Sequence, residues 1–425
     1  MEPDLSVAEV IGSSELDPAL PGLASALDTS STARRFEELW RVDGKRLQVS
    51  GCRRVAGRYE PGTSCILTYR LTSSPPGEVP HETLGVVEIH PSSVVHRFFH
   101  DDPLLPELAL AVERQLMRPG LSTLLDERLG VDLVDVTRIT PVAYKPGWSC
   151  VLRYDLDTTA GKQTMFGKLF GTSAEGAFSR ARVFHSETSF PGKLNLPRPV
   201  ADWGDMRMLI TEAIPGSRAM NLKLFEQGSS VELRERWMHE LGAGLARFHE
   251  DTTTEGPRRT LERDISALFS YAPAVAFLAP DLGQLFDQST TVLAGLATGV
   301  EESDPRPSHG SLRTDQVLIA GNELIVLDLD GFCWADPARD IGNLLAYLDW
   351  KAIREPQYDS LIKGIQASFL EGYASVRAAP EGRSFALYRA ASMLKIVGRR
   401  HRDLTYMEWP LIPELLDRAS EVLVA

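Results

Sequence analysis

The densest chemistry in this chain lies in SHGSLRTDQVLIAGNELIVLDLDGFCWADPARDIGN, from Ser308 to Asn343. Two apolar runs, QVLIA and LIVLDL, flank the turn Gly321-Asn322, a spacing that predicts a hairpin. One strand is preceded by a polar loop and the other runs into an acidic one. The hairpin therefore gathers Ser311, Asp315 and Gln316 beside Asp328 and Asp330. Oxygen ligands clustered on loops suit Mg²⁺, which takes one or two carboxylates together with phosphate oxygens and water. The plain alternative is an acidic surface hairpin. Against it stands Asp328, whose carboxylate among Ile, Val and Leu needs a partner or a metal. Residues 301–360 hold 12 acidic and 5 basic side chains, net −7, which leaves room for a cationic ligand.

The elements that must position these groups change character along the chain. YEPGTSCILTYRL (Tyr59 to Leu71) aligns with YKPGWSCVLRYDL (Tyr144 to Leu156) at a constant offset of 85 residues, with eight of 13 positions identical. Each copy reads as strand, Pro-Gly turn, strand, with Cys, Leu, Tyr and Leu alternating on one buried face. The second copy continues through TTAGK into QTMFGKLF, an antiparallel meander ending at Lys168, and a helical segment near Ala174 to Glu187 follows. At the comparable positions the first copy offers Val86 or Glu88 and no lysine. Beyond Met208 helical spacing takes over, as in VELRERWMHELGAGLARFHED. Strands first and helices second predict an α+β chain of two lobes. The expected divisions are a loose leader over 1–33, an extra domain with the first hairpin over 34–125, a small lobe over 126–215 and a helical large lobe over 216–425. At most one short helix is expected in the leader.

HGSLRTDQVL followed by VLDLDGFCWADPARDIGN resembles the aminoglycoside phosphotransferase family, which has a protein-kinase-like fold. LITEAIPG is similar to that family's interlobe hinge, and LGAGLARFHE to the helix before its catalytic region. The resemblance runs from about Val131 to the C-terminus. It implies a bilobal kinase-like fold, ATP or GTP as cofactor, and Mg²⁺. It implies that His309 braces the catalytic loop and that Asp328 binds the metal, with Gln316 and Asp330 completing the candidate set. Lys168 would contact the nucleotide phosphates, where a fixed cation offsets charge in a loose transfer state. Glu212, Ala213 and Ile214 would cradle the base through backbone groups. Asp336 and Asp340 would shape the large lobe structurally. The acidic partner of Lys168 stays open between Glu175 and Glu187.

Two departures bear on activity. Ser311 stands where the family has its catalytic Asp, and Gln316 where it has a metal-binding Asn. Gln keeps the amide oxygen on a longer arm, whereas Ser cannot act as a base near neutral pH. Asp315 and Asp330 are the carboxylates that could substitute. The expected activity is transfer of a phosphoryl group to a hydroxyl of a small molecule or of a biosynthetic peptide. The alternative is a pseudokinase that binds nucleotide or a partner protein through its extra domain.

A formal charge of −13 in 425 residues argues against a non-specific nucleic-acid binder, and 43% apolar residues exclude wholesale disorder. No apolar stretch is long enough for a membrane span, no signal peptide is visible, and four scattered cysteines fit a reducing cytosol. GRRHRD, from Gly398 to Asp403, is a basic patch at a predicted helix end, suited to capping carbonyls or meeting an acidic ligand.

Overall fold

In both copies of the repeated hairpin, the alternating Cys, Leu, Tyr and Leu of the second strand are fully buried. A β-strand sends every second side chain to one face, so this alternation commits each hairpin to covering a core. The computed structural model describes residues 16–42, 45–73, 80–172, 175–184, 194–251 and 255–424. The chain divides into two units. One comprises Met1–Ser179, Arg198–Ala213 and Arg402–Leu404; the other comprises Arg180–Pro197, Ile214–His401 and Thr405–Ala425.

The first unit holds two antiparallel sheets. Strands Gly51–Glu60, Ser64–Ser73, His81–His90 and Ser93–Phe98 form the first in chain order. The second has the order Pro199–Trp203, Met208–Glu212, Gly161–Phe170, Ser149–Thr158, Leu133–Lys145. The two Pro-Gly turns place Gly62 and Gly147 at φ 66° and 73°, the left-handed region that glycine enters without a Cβ penalty.

The duplication reaches further upstream than the hairpins. DPALPGLASAL (Asp17 to Leu27) matches DPLLPELALAV (Asp102 to Val112) at seven of 11 positions, again 85 residues apart. Asp17 accepts from the Tyr59 hydroxyl at 2.7 Å and from Gly62 N–H at 2.8 Å. Asp102 accepts from the Tyr144 hydroxyl at 2.5 Å and from Gly147 N–H at 2.7 Å. The next conserved tyrosines donate to the Ala26 and Ala111 carbonyls respectively. A carboxylate this buried is tolerable because three donors replace its water, Ala19 N–H and Leu104 N–H completing the two sets at 2.9 Å.

This arrangement changes the reading of the leader. Residues 1–15 lie outside the described residues, but Leu20 and Leu23 are 1% exposed. Two helices occupy the next stretch, Leu23–Leu27 and Thr29–Leu39, the second capped by Asp28 through Ser30 N–H and Ser31 N–H. The segment from Leu16 is therefore anchored rather than loose, because Asp17 ties it to the hairpin turn. Arg97 joins the two copies: it bonds Glu88 on the neighbouring strand and the Tyr144 hydroxyl of the second copy. A common core includes Leu84 and Val86 of the first sheet and Leu152 and Tyr154 of the second.

The second unit is mainly helical. Its hairpin, Val317–Ala320 with Glu323–Val326, is the centre of a small four-stranded sheet with Leu194–Asn195 and Arg218–Ala219 at its edges. Around it lie the helices Val231–Glu250, Ala338–Arg354, Asp359–Ala374 and Gly382–Arg402. The order of strands followed by helices is the α+β pattern expected. No helix among the described residues is long and apolar enough to cross a membrane. All four cysteines are free thiols, and Cys65 and Cys150 are buried in their hairpins as expected.

Candidate functional site

The loop from Ser308 to Gln316 is held by one helix. Helix Ala338–Arg354 buries most of its side chains, and the polar ones at its start face the loop backbone. Asp340, 0% exposed, accepts from His309 N–H at 2.6 Å and Gly310 N–H at 2.7 Å. Arg339 donates to the Gly310 carbonyl and pairs with Asp264. Asn343 donates to the Leu312 carbonyl at 2.9 Å. Three residues spaced along the first turns of one helix thus fix three consecutive stretches of loop. Gly310 has φ 84°, and a Cβ there would lie 1.9 Å from the Gly331 carbonyl oxygen. Only glycine fits.

A further layer holds Asp340. His249 Nε2 donates to it at 3.3 Å, while His249 Nδ1 lies 2.8 Å from the Tyr373 hydroxyl. Burial alone would raise the Asp340 pKa. The His249 hydrogen bond and the charges of His249, His309 and Arg339 outweigh it and hold the carboxyl below its ordinary value. Asp336 accepts from Ser303 N–H and Ala338 N–H, both at 2.8 Å, and so joins the preceding loop to the helix start. Both aspartates have the structural surroundings that the sequence reading gave them. From the sequence His249 reads as a structural cap at its helix end rather than a catalyst; its role is structural, but its partner is a buried aspartate 91 residues on, which that position did not reveal.

His309 Nε2 donates to the Leu327 carbonyl at 2.9 Å, which joins the loop to the end of the hairpin. Its Nδ1 is buried without a hydrogen-bond partner among the described residues. Gln316 and Asp328 are brought together, with Gln316 Nε2 3.4 Å from Asp328 Oδ2. The Gln316 amide oxygen is buried and has no partner among the described residues. Asp328 adopts φ 63° and ψ 55°, a left-handed backbone that costs a non-glycine residue energy and recurs at functional positions. Turning the amide over would set its oxygen beside the carboxylate, an oxygen pair of the kind a divalent cation takes. Among the described residues no group of three or more His, Cys, Asp or Glu could hold a metal ion. A two-ligand set completed by phosphate and water is the arrangement that fits.

The remaining candidates are placed differently. Ser311 Oγ lies against Gly331, at the start of the acidic turn. Asp315 is exposed, and both of its oxygens take hydrogen bonds from Arg313, at 2.9 and 3.2 Å. Asp330 is exposed and acts on Arg180, whose guanidinium burial pulls down while Asp330 opposes. Lys168, Glu212 and Ala213 belong to the first unit, and Ile214 begins the second. There Lys168 pairs in register with Val151 and Leu209 on the centre of the five-stranded sheet, its ammonium 5.4 Å from the Phe170 ring centroid. Ala213 N–H donates to the Thr164 carbonyl at 3.1 Å. Glu187 and the side chain of Glu175 lie outside the described residues.

A family model described as "Phosphotransferase enzyme family" (APH) matches residues 157–379, more than half of the chain. The chain belongs to this phosphotransferase family. Among solved structures, this phosphotransferase-family chain is similar to a glucosamine kinase in complex with glucosamine, ADP and inorganic phosphate. The TM-score is 0.52 and the identity 14%, over 84% of this chain and 93% of that one. An amicoumacin kinase, hAmiN, matches at TM-score 0.46 and 16% identity, over 66% and 88%. A thermostable mutant of aminoglycoside phosphotransferase APH(4)-Ia matches at 0.46 and 13%, over 72% and 97%. No curated protein sequence matches. The glucosamine kinase likeness agrees with the kinase-like fold implied by the loop and hinge motifs.

Proposed function

We propose that this chain transfers the terminal phosphoryl group of ATP or GTP to a hydroxyl of a small molecule. The observation that carries the reading is the Gln316 side-chain amide, set against the Asp328 carboxylate through its Nε2 with its buried oxygen unsatisfied among the described residues, on a loop fixed by Arg339, Asp340 and Asn343. Asp328 and Gln316 would hold Mg²⁺, with Asp330 as the further candidate. When bound, the cation neutralises charge on the nucleotide's phosphate oxygens. Lys168 is the proposed phosphate cation, and backbone groups from Glu212 to Ile214 the proposed cradle for the base. His309 carries out no proton transfer in this scheme; its Nε2–H is committed to Leu327, and it braces the loop.

Ser311 sets the mechanism. It supplies a hydrogen-bonding hydroxyl and no charge, so acceptor activation rests on orientation. That is compatible with a loose transfer state, in which positioning and electrostatics carry most of the catalysis. Asp315, already saturated by Arg313, is a poor base. The same Ser311 favours a second reading: a scaffold that binds nucleotide, or a partner protein through its extra domain, without transfer. A biosynthetic peptide as acceptor is a variant of the first reading.

Calorimetric titration with Mg-ATP and Mg-GTP, followed by measurement of nucleotide turnover, tests these readings. Binding with turnover, both abolished in Asp328→Asn, is expected. Binding without turnover for any hydroxyl acceptor would leave the scaffold. Wild-type nucleotide affinity in Asp328→Asn would overturn the assignment of the metal position.

A further inference from the structure

The negative charge of residues 301–360 points toward a cationic acceptor only if those carboxylates are available, and most are already engaged. Glu302 binds Tyr388 and Leu261 N–H, and Asp336 and Asp340 hold backbone. Asp349 pairs with Arg389, Glu355 with Lys351, and Asp315 with Arg313. Apart from Asp328 and Asp330, assigned above to the metal, the charges that stand out beside the loop are of the opposite sign.

Arg313 lies two residues after Ser311, with its guanidinium carbon 5.2 Å from the Tyr347 ring centroid. Arg399, from helix Gly382–Arg402, donates to the Tyr347 hydroxyl at 3.2 Å and also meets Tyr271, and its buried Nε has no partner among the described residues. Lys395 is one turn earlier on the same helix and half-buried. The charged groups bearing most on it are the guanidiniums of Arg399, Arg339 and Arg313 and the single carboxylate of Asp264. Asp264 is already paired with Arg339, and Asp315 with Arg313. Four cations therefore share two carboxylates; among the described residues Lys395 and Arg399 have no carboxylate of their own, and Arg399 donates to the tyrosine that also meets Arg313.

We propose that Arg313, Lys395 and Arg399 form the subsite for an anionic group, a phosphate or a carboxylate, carried by the hydroxyl-bearing acceptor. The proposal rests on the phosphotransferase reading and names its substrate class. Like charges packed together with too few carboxylates disfavour one another, and an anion among them lowers that cost while gaining charge-assisted hydrogen bonds from the guanidiniums. Burial first, and then Arg399 and Arg339, pulls the Lys395 ammonium down to about 7, with Asp264 opposing. Near neutral pH a bound anion would complete its protonation, so binding takes up protons.

The test uses the full chain without nucleotide, titrated calorimetrically with D-glucose 6-phosphate, D-gluconate, D-glucose and D-glucosamine. At least one of the two anions is expected to bind about tenfold or more tighter than glucose and glucosamine. A heat that depends on the buffer's ionisation enthalpy would report proton uptake. Preference for glucose 6-phosphate marks a phosphomonoester acceptor, and preference for gluconate a carboxylate. Lys395→Met and Arg399→Gln should each erase the preference while keeping the wild-type melting temperature; two variants guard against one that misfolds. Glucosamine or glucose binding as tightly as the anions overturns the proposal. So does the absence of anion binding, or an anion preference unchanged in both variants. Mg-ATP titration of the same samples reads the phosphotransferase assignment separately: anions bound but no Mg-ATP would sink that assignment and leave the subsite.

Discussion

Glu88 and Lys168 occupy the same register position in two copies of one hairpin. Glu88 is the ladder partner of Ile66 and Lys168 that of Val151, and Ile66 and Val151 are 85 residues apart. Duplication kept the strands and reversed the charge. Glu88 pairs with Arg97, which reaches across to Tyr144 of the second copy. The first sheet should therefore bind no nucleotide, since a carboxylate there repels phosphate. Titration is expected to give one nucleotide per chain, weakened by Lys168→Ala and unaffected by Glu88→Gln. A stoichiometry of two would contradict this account.

The paired aspartates of the duplication should be worth similar amounts to stability. Asp17→Ala and Asp102→Ala each strand a buried tyrosine hydroxyl and a turn N–H. Leaving such groups unsatisfied costs about 1–3 kcal/mol each. Urea denaturation should show a loss on the order of 2–4 kcal/mol for either variant. A loss confined to Asp102→Ala would mean that the stretch from Leu16 is not fixed in solution.

The legible parts of this chain were those in which residue type repeats at fixed spacing. Alternating Cys, Leu, Tyr and Leu betrayed both hairpins, and the histidine-to-aspartate motif betrayed the loop. The aspartate anchors were not found, although DPALPGLASAL and DPLLPELALAV carry the same offset. Proline breaks their periodicity, and Asp17 meets its partner Tyr59 only 42 residues on. Of the proposed basic subsite only Arg399 stood out, within the GRRHRD patch already marked as able to meet an acidic ligand, and Arg313 and Lys395 did not. Local charge counting saw carboxylates near the loop, whereas their neutralisation and the approach of Lys395 and Arg399 come from a helix far along the chain.

Asp340 predicts an acid limb in stability. Its folded pKa is depressed, so its contribution is present above the unfolded carboxylate value of about 3.9 and is lost as pH falls toward the lower folded value. Removing one side of such a buried charged network costs about 3–5 kcal/mol. Asp340→Asn should therefore lower stability at pH 7 by roughly that amount and lose less on further acidification than wild type. Denaturant melts between pH 7 and 3 measure this. Parallel curves for the two proteins would show that Asp340 does not bear the proton linkage.

Ser311 decides whether transfer here can be improved. Its Oγ adjoins Gly331, in the turn that follows Asp328, so an aspartate at this position would place a carboxylate at the start of the acidic turn. With the loop backbone fixed by Asp340, Arg339 and Asn343, the substitution should be accepted without rearranging the loop. Ser311→Asp is expected to raise turnover toward the ~10²–10⁴-fold that a positioned base contributes, with little change in nucleotide affinity. Asp315→Asn should lower turnover by less than about tenfold, because Arg313 already occupies that carboxylate, so it can supply little of a base's effect. A large loss in Asp315→Asn would instead show that Arg313 releases Asp315 when an acceptor binds. If the wild type is inert and Ser311→Asp stays inert with Mg-ATP bound, the missing carboxylate is not what prevents transfer. The scaffold reading then stands in place of the enzyme.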